Sequence, residues 1–200
     1  DEVDNPYAGF FPAVPQFINY VTVFQTGGYG EGILWTMLII IFNLIAVPLS
    51  ATLIAYSFAK LKWKGRSVMF AAMLGTMMLP SAVTQLPLYI IYSKIGFLNT
   101  ILPFTVPNLF GGGAVYIFLI RQFMRGILNE LENAAKIDGA KEFTIFFRII
   151  IPLAKPAFAC IGLFLLLQGW NDWYSSLLYI EDEEKVQLQY LLISLMRNIE

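Results

Sequence analysis

Three stretches of this sequence carry no Asp, Glu, Lys or Arg: Gly32 to Ala59, Ser67 to Ser93, and Ile95 to Ile120. A fourth, Ala157 to Ile180, is interrupted only by Asp172. Each exceeds the roughly 20 residues a helix needs to cross a bilayer core. A soluble chain of 200 residues could hide one such run; four leave no surface to face water. The charged fraction is 14%, against about 25% in ordinary soluble domains. The runs are continuous, whereas outer-membrane strands alternate over about ten residues. The expected fold class is therefore an all-α polytopic membrane protein. Its spans are predicted at Ile33–Phe58, Val68–Ile91, Leu102–Ile120 and Ala157–Tyr179. Pro48 should kink or loosen the first, Pro80 and Pro87 lie inside the second, and Pro103, Pro107 and Gly111–Gly113 interrupt the third.

The basic residues orient these spans. Lys60, Lys62, Lys64 and Arg66 lie between spans one and two. Arg121, Arg125, Lys136, Lys141, Arg148 and Lys155 lie between spans three and four. These four and six residues make up 10 of the 13 Lys and Arg. Positive charge marks the cytoplasmic side, so loops 60–66 and 121–156 are expected there. The opposite side carries Asp1, Glu2, Asp4, Glu31, the 94–100 turn and the acidic run Glu181–Glu184. Residues 1–31 are then an external segment, and 32–200 the membrane domain. An earlier span should bring the chain out of the cytoplasm. Residues 186–200 are too short and polar to close as a span, and a further helix is expected beyond Glu200. The alternative is a complete four-helix protein with a translocated N-terminus.

Several functions are disfavoured outright. The net charge of −1 gives no reason to expect a nucleic-acid partner. There is no histidine, and the single cysteine, Cys160, lies in an apolar run, so neither a usual zinc site nor a disulfide framework is expected. No catalytic residue and no metal ligand is assigned.

The loop at 121–156 is patterned. Asn129 and Glu132 have the spacing of an N-cap with a capping box. Leu131, Ala134 and Ala135 follow at helical spacing, and Gly139 fits just past the helix end, where a left-handed conformation costs little. Phe143, Phe146, Phe147 and Ile150 then recur at three and four residues, predicting a second helix with one apolar face. Pro152 and Pro156 should stop it. The reading is helix, glycine turn, helix. Its aromatics need cover, from the protein itself or from another subunit; an interfacial helix on lipid headgroups is an equal alternative.

Residues Glu132-Asn133-Ala134-Ala135-Lys136-Ile137-Asp138-Gly139-Ala140, with Ile149-Ile150-Ile151-Pro152, resemble the EAA loop of binding-protein-dependent ABC importer permeases. That pattern is Glu-Ala-Ala, three residues, Gly, nine residues, then Ile-x-Leu-Pro. Ala134, Ala135, Gly139, Ile149 and Pro152 fall on it, while Asn133 stands where Glu is usual and Ile151 where Leu is usual. Glu132 is one place early. Lys64-Gly65-Arg66, Leu86-Pro87-Leu88-Tyr89, Gly96-Phe97-Leu98-Asn99-Thr100 and Trp170-Asn171-Asp172-Trp173 are similar to the carbohydrate-uptake branch, nearest its MalG-like subunit.

The resemblance implies a MetI-like transmembrane domain in the bacterial inner membrane, with the four spans standing as the second to fifth of six. It implies a non-catalytic subunit that pairs with a second related permease above two ABC ATPase subunits. Those subunits would hold the ATP and Mg; this chain would bind no cofactor. An extracytoplasmic solute-binding protein would deliver the carbohydrate. The implied ATPase-coupling residues are Asn129, Glu132, Asn133, Ala134, Ala135, Asp138, Gly139, Phe143 and Pro152.

A sugar pathway needs hydrogen-bonding groups and aromatic faces in an apolar wall. The candidates are Asn43, Thr84, Gln85, Tyr89, Asn108, Gln168, Trp170, Asn171 and Asp172. Tyr and Trp near span ends are also interface anchors, and Asn or Gln within spans can simply tie helices together. Asp172 is the most suggestive, since an acidic group within a membrane is costly, unless it sits at the outer rim. Rival readings are a secondary transporter, which would need no such loop, and a permease for a non-sugar solute. A channel would want a filter or charge ring, and a membrane enzyme would want acid–base groups; neither is evident.

Overall fold

The computed structural model describes residues 16–26, 28–127 and 129–199, and among them it is helical with no strand. The acidic start of the segment expected to be external, with Asp1, Glu2 and Asp4, lies outside the described residues. Helix α1 covers Ile18–Thr26 and α2 covers Tyr29–Ala59. At 31 residues, α2 is about 46 Å long, more than the roughly 30 Å of a bilayer core. It runs without interruption through Pro48, so the expected kink does not become a break. Ser50 and Thr52 donate to Ala46 O and Pro48 O beside it, so backbone carbonyls around the proline find side-chain donors.

The second run is not one helix. It forms α3 (Arg66–Thr76) and α4 (Ser81–Lys94), bent by 97° at the break. Pro80 is extended, with φ −60° and ψ 135°. A proline pushes the preceding residue out of the helical region and offers no N–H, so the chain turns at Met77–Pro80. Pro87 stays inside α4.

The third run is α5 (Leu102–Thr105), a 3₁₀ turn at Pro107–Phe110, and α6 (Ala114–Arg125). Gly112 shows why glycines interrupt it: φ is +64°, and a Cβ there would lie 2.6 Å from Val47. The backbone lies directly against α2, closer than any side chain permits.

The loop follows as α7 (Asn129–Ile137), α8 (Glu142–Ile145), a π-helical turn (Phe146–Ile150) and α9 (Ile151–Leu153). Helix α10 (Lys155–Asn171) leaves it at a 66° bend. Pro152 lies within α9 rather than ending the helical segment before it. The fourth run also ends early. Instead of continuing to Tyr179, α10 stops at Asn171 and α11 begins at Tyr174, ending at Tyr179. At the break Asp172 is extended, with φ −81° and ψ 92°, and its Oδ1 accepts the Ser175 N–H in the first turn of α11 at 3.0 Å. Finally α12 (Leu188–Ile199) packs on α2, where Leu188 N–H donates to Thr36 Oγ1 at 3.0 Å. It is helical, but at 12 residues spans only about 18 Å.

Helix α2 is the hub. Its Val47, Ala51, Ala55, Tyr56 and Phe58 share one core with Ile117, Ile120 and Met124 of α6, Ile161 and Leu165 of α10, and Ile145, Phe146 and Ile150 of the loop. A second core joins Ile39, Tyr92, Phe104 and Tyr179. Among the described residues, two helices are long and apolar enough to cross a membrane, Tyr29–Ala59 and the 102–125 run, or up to four if each bent pair is one span.

Candidate functional site

Two places combine unusual geometry with polar chemistry. The first is the loop. Its helix α7 ends in a Schellman motif: Ala140 N–H donates to Ala135 O at 2.9 Å and Gly139 N–H to Lys136 O at 3.0 Å. That pattern needs a left-handed residue just past the helix, and Gly139 supplies it at φ +80° with open space around it. The three-residue gap between Ala135 and Gly139 is therefore the spacing that closes this helix. Ala135 and Ala140 pack together against the core.

The expected capping box is not what holds the other end. Asn129 and Glu132 both turn to Lys60, the residue that caps α2. Lys60 Nζ donates to Asn129 Oδ1 at 2.9 Å and Ile127 O at 2.9 Å, and lies 2.7 Å from Glu132 Oε1. Three oxygens thus surround the ammonium, and the side chains of Lys60 and Glu132 are only 6% and 9% exposed. Glu132 is thus an internal strut, not part of the loop's outer face. A second strut joins the other half: Tyr56 O–H donates to Glu142 Oε2 at 2.7 Å, and Lys136 Nζ lies 2.7 Å from Glu142 Oε1. Lys136 first, then Tyr56, hold the Glu142 carboxyl below the usual carboxylate range.

The apolar face of the second segment also differs from expectation. Ile145, Phe146 and Ile150 are buried, whereas Phe143 is 75% and Phe147 56% exposed. Ile149 is also partly buried against the core, so the buried face is Ile145, Phe146, Ile149 and Ile150, rotated from the one expected. The outward face of the loop carries Asn133, Ala134, Ile137 and Phe143, with Asp138 and Pro152 also exposed.

The second place is a cavity of about 500 Å³, within the range of small-molecule sites. It is lined by Asn43 of α2, Asn108, Gln168 and Asn171 of α10, and Asp172, five of the nine pathway candidates. Thr84, Gln85, Tyr89 and Trp170 are not among its lining. Thr84 donates to Ser81 O within its own helix, and Tyr89 packs on the second core. Asn43 and Asn108 are tied to each other and to Phe104 O at 2.8–3.1 Å, so they also hold α2 to the third run. Four polar lining residues escaped sequence reasoning: Tyr116, which donates to Gln168 Oε1, Ser175, Tyr179 and Gln187. Gln187 lies in a stretch set aside as polar, and only the return of α12 to α2 brings it inward.

The cavity and the loop lie on the same two helices. From Asn43 to Lys60 along α2 is about 25 Å. Helix α10 likewise begins beside the loop and ends at Gln168 and Asn171.

Membrane-length apolar helices around a polar cavity define an integral helical membrane protein of the transport class. Residues 49–199 match the model of the family described as binding-protein-dependent transport system inner membrane component. The chain belongs to that family. It is 32% identical over 190 residues to the arabinooligosaccharides transport system permease protein AraQ of Bacillus subtilis, covering 92% of this chain and 66% of AraQ. It is 31% identical to the melibiose/raffinose/stachyose import permease protein MelC of Bacillus subtilis, covering 88% of this chain and 64% of MelC. It is 29% identical to the alpha-glucoside transport system permease protein AglG of Rhizobium meliloti, covering 94% and 52%. A chain of a bacterial ABC transporter involved in the import of the acidic polysaccharide alginate superposes with TM-score 0.84 at 25% identity, covering 95% of this chain and 66% of that one. The chain thus spans between about half and two thirds of these relatives' length.

Proposed function

We propose that this chain is the transmembrane permease subunit of an ATP-driven, binding-protein-dependent importer of sugars or oligosaccharides. The observation that carries it is the family match over 49–199, which contains the whole of the folded loop. The names of AraQ, MelC and AglG support a carbohydrate cargo.

On this reading the permease performs no covalent chemistry. A second related permease completes the pathway, and two ATPase subunits holding ATP and Mg dock on the outward face of the loop, at Asn133, Ala134 and Ile137 of α7 and Phe143 of α8. A solute-binding protein delivers sugar from the opposite side. ATP binding then favours one of two transmembrane packings. The buried Lys60–Glu132 strut fixes the docking helix to α2 and the half-exposed Tyr56–Glu142 strut fixes α8 to it, so movement of the loop is carried to α2 as well as to α10. Loops 60–66 and 121–156 face the cytoplasm.

The test is copurification in mild detergent followed by reconstitution. An ATPase pair, a second permease and ATP-dependent sugar uptake are expected. A lone protein that transports without ATP would establish the secondary-transporter reading instead.

A further inference from the structure

A smaller cavity, of about 290 Å³, opens where the 60–66 loop enters α3. Lys62, Arg66 and Ser67 line it together with Trp63 and Val68. The Trp63 indole N–H is spent on Ser57 O at 3.2 Å, so its ring is left to serve as an apolar wall. Val68 is 73% exposed. Cations and open apolar surface therefore share one site, at the point where the charge-free run 67–93 begins. Beyond it, α3 fully buries none of its residues.

The positive charge here is unmatched. Phe70 lies four residues along α3 from Arg66, on the same helix face. The Arg121 guanidinium sits over the Phe70 ring, 3.8 Å from its centre, and the charges of Arg125 and Arg66 both bear on it. Arg66 donates to Leu61 O at 2.9 Å and Arg121 Nε to Phe58 O at 3.2 Å. Those acceptors are carbonyls and carry no formal charge. Among the described residues, no carboxylate pairs with Lys62, Arg66, Arg121 or Arg125; the ion pairs use Lys60, Lys136 and Lys185. Like charges gathered without a counter-charge repel one another, and an anion in the cavity would offset that. The N–H fork of a guanidinium matches the oxygens of a phosphate.

We infer that this cavity holds the headgroup of an anionic phospholipid, with Lys62 and Arg66 on the phosphodiester and the acyl chains running over Val68 onto the open apolar surface of α3. A soluble phosphate would use the cations and leave the apolar wall idle. An amphiphile uses both, and basic pockets at a membrane boundary are suited to anionic headgroups. The bound lipid braces the 60–66 loop beside Lys60, the residue that anchors the docking helix. The inference uses the membrane fold and is independent of the cargo proposed above.

The test uses the full-length permease with every subunit that copurifies, delipidated in mild detergent. It is titrated with dioleoylphosphatidylglycerol or dioleoylphosphatidylcholine, and native mass spectrometry reads the lipid retained on the permease subunit. Phosphatidylglycerol should bind at least about fivefold more tightly than phosphatidylcholine. Excess inorganic phosphate should leave that affinity within about twofold, because it cannot occupy the apolar wall. Lys62→Gln/Arg66→Gln should weaken phosphatidylglycerol binding about tenfold or more. Arg148→Gln/Lys155→Gln removes the same charge from exposed positions outside the cavity and should leave binding within about twofold. Lys62 is exposed, so Lys62→Gln alone should assemble and still weaken binding about threefold; it decides if the double variant does not assemble. Equal retention of the two lipids, displacement by inorganic phosphate, equal loss in the Arg148/Lys155 variant, or parental binding by an assembled cavity variant would overturn the inference. ATP-driven uptake by the complete complex reports separately on the importer reading.

Discussion

Gly139 and Lys60 show how single side chains hold the loop. Gly139 has room for a side chain on every side, so its requirement is backbone conformation alone. Gly139→Val should strain the Schellman turn by about 1–2 kcal/mol, loosen the ATPase pair during copurification and lower ATP-dependent uptake. Gly139→Asn, which tolerates the left-handed region, should retain most of both. Lys60 is the opposite case, fixed by its partners. Lys60→Met leaves Glu132 buried without a counter-charge and should cost about 3–5 kcal/mol, read as a lowered Tm of the detergent-solubilised complex. The double variant Lys60→Met/Glu132→Leu should recover much of that loss, because two apolar side chains need no pairing.

The elbow between α7 and α8 is held by the Lys136–Glu142–Tyr56 chain. Glu142 is held below its usual range, so folding favours its charged form. That contribution is present above the ordinary carboxylate range and is lost as pH falls through the lowered value. Lys136 is raised, chiefly by its hydrogen bond with Glu142. Its contribution is full below the ordinary lysine range and lost as pH rises through the raised value. The elbow is therefore strapped across neutral pH. Both side chains are about half exposed, so the effect is local and small. Glu142→Gln should raise amide hydrogen exchange across 129–145 at neutral pH. Acidification through the carboxylate range should then change the parent more than the variant.

Helices α2 and α10 both run from the loop to the cavity, which gives any movement of the loop a rigid path to it. This arrangement predicts which surfaces lie on opposite sides of the membrane. In a Cys160→Ser background, Lys64→Cys should react with a membrane-impermeant maleimide only from the cytoplasmic side. Asp182→Cys should react only from the other. Labelling of both from one side would overturn the proposed orientation.

Much of this was legible in the residues. Charge-free runs gave the helical membrane class, because no water-facing surface can be built from them. Spacing gave the glycine turn, because a Schellman motif is local and places Gly139 four residues after Ala135. The breaks at Pro80 and Asp172 were visible as residues but not as turns, since a proline or an Asp can also sit inside or beside a continuous helix. Hydropathy averages across such points; capping geometry does not. What only the tertiary structure decided were the pairings between distant residues. Lys60 with Glu132, Tyr56 with Glu142, and the Leu188 N–H with Thr36 are separated by tens of residues in the chain, and no local periodicity encodes them. The sequence alone therefore determined that the chain crosses a membrane and carries a shaped loop. Packing onto α2 decided which side of that loop is free, and which polar groups converge on the cavity.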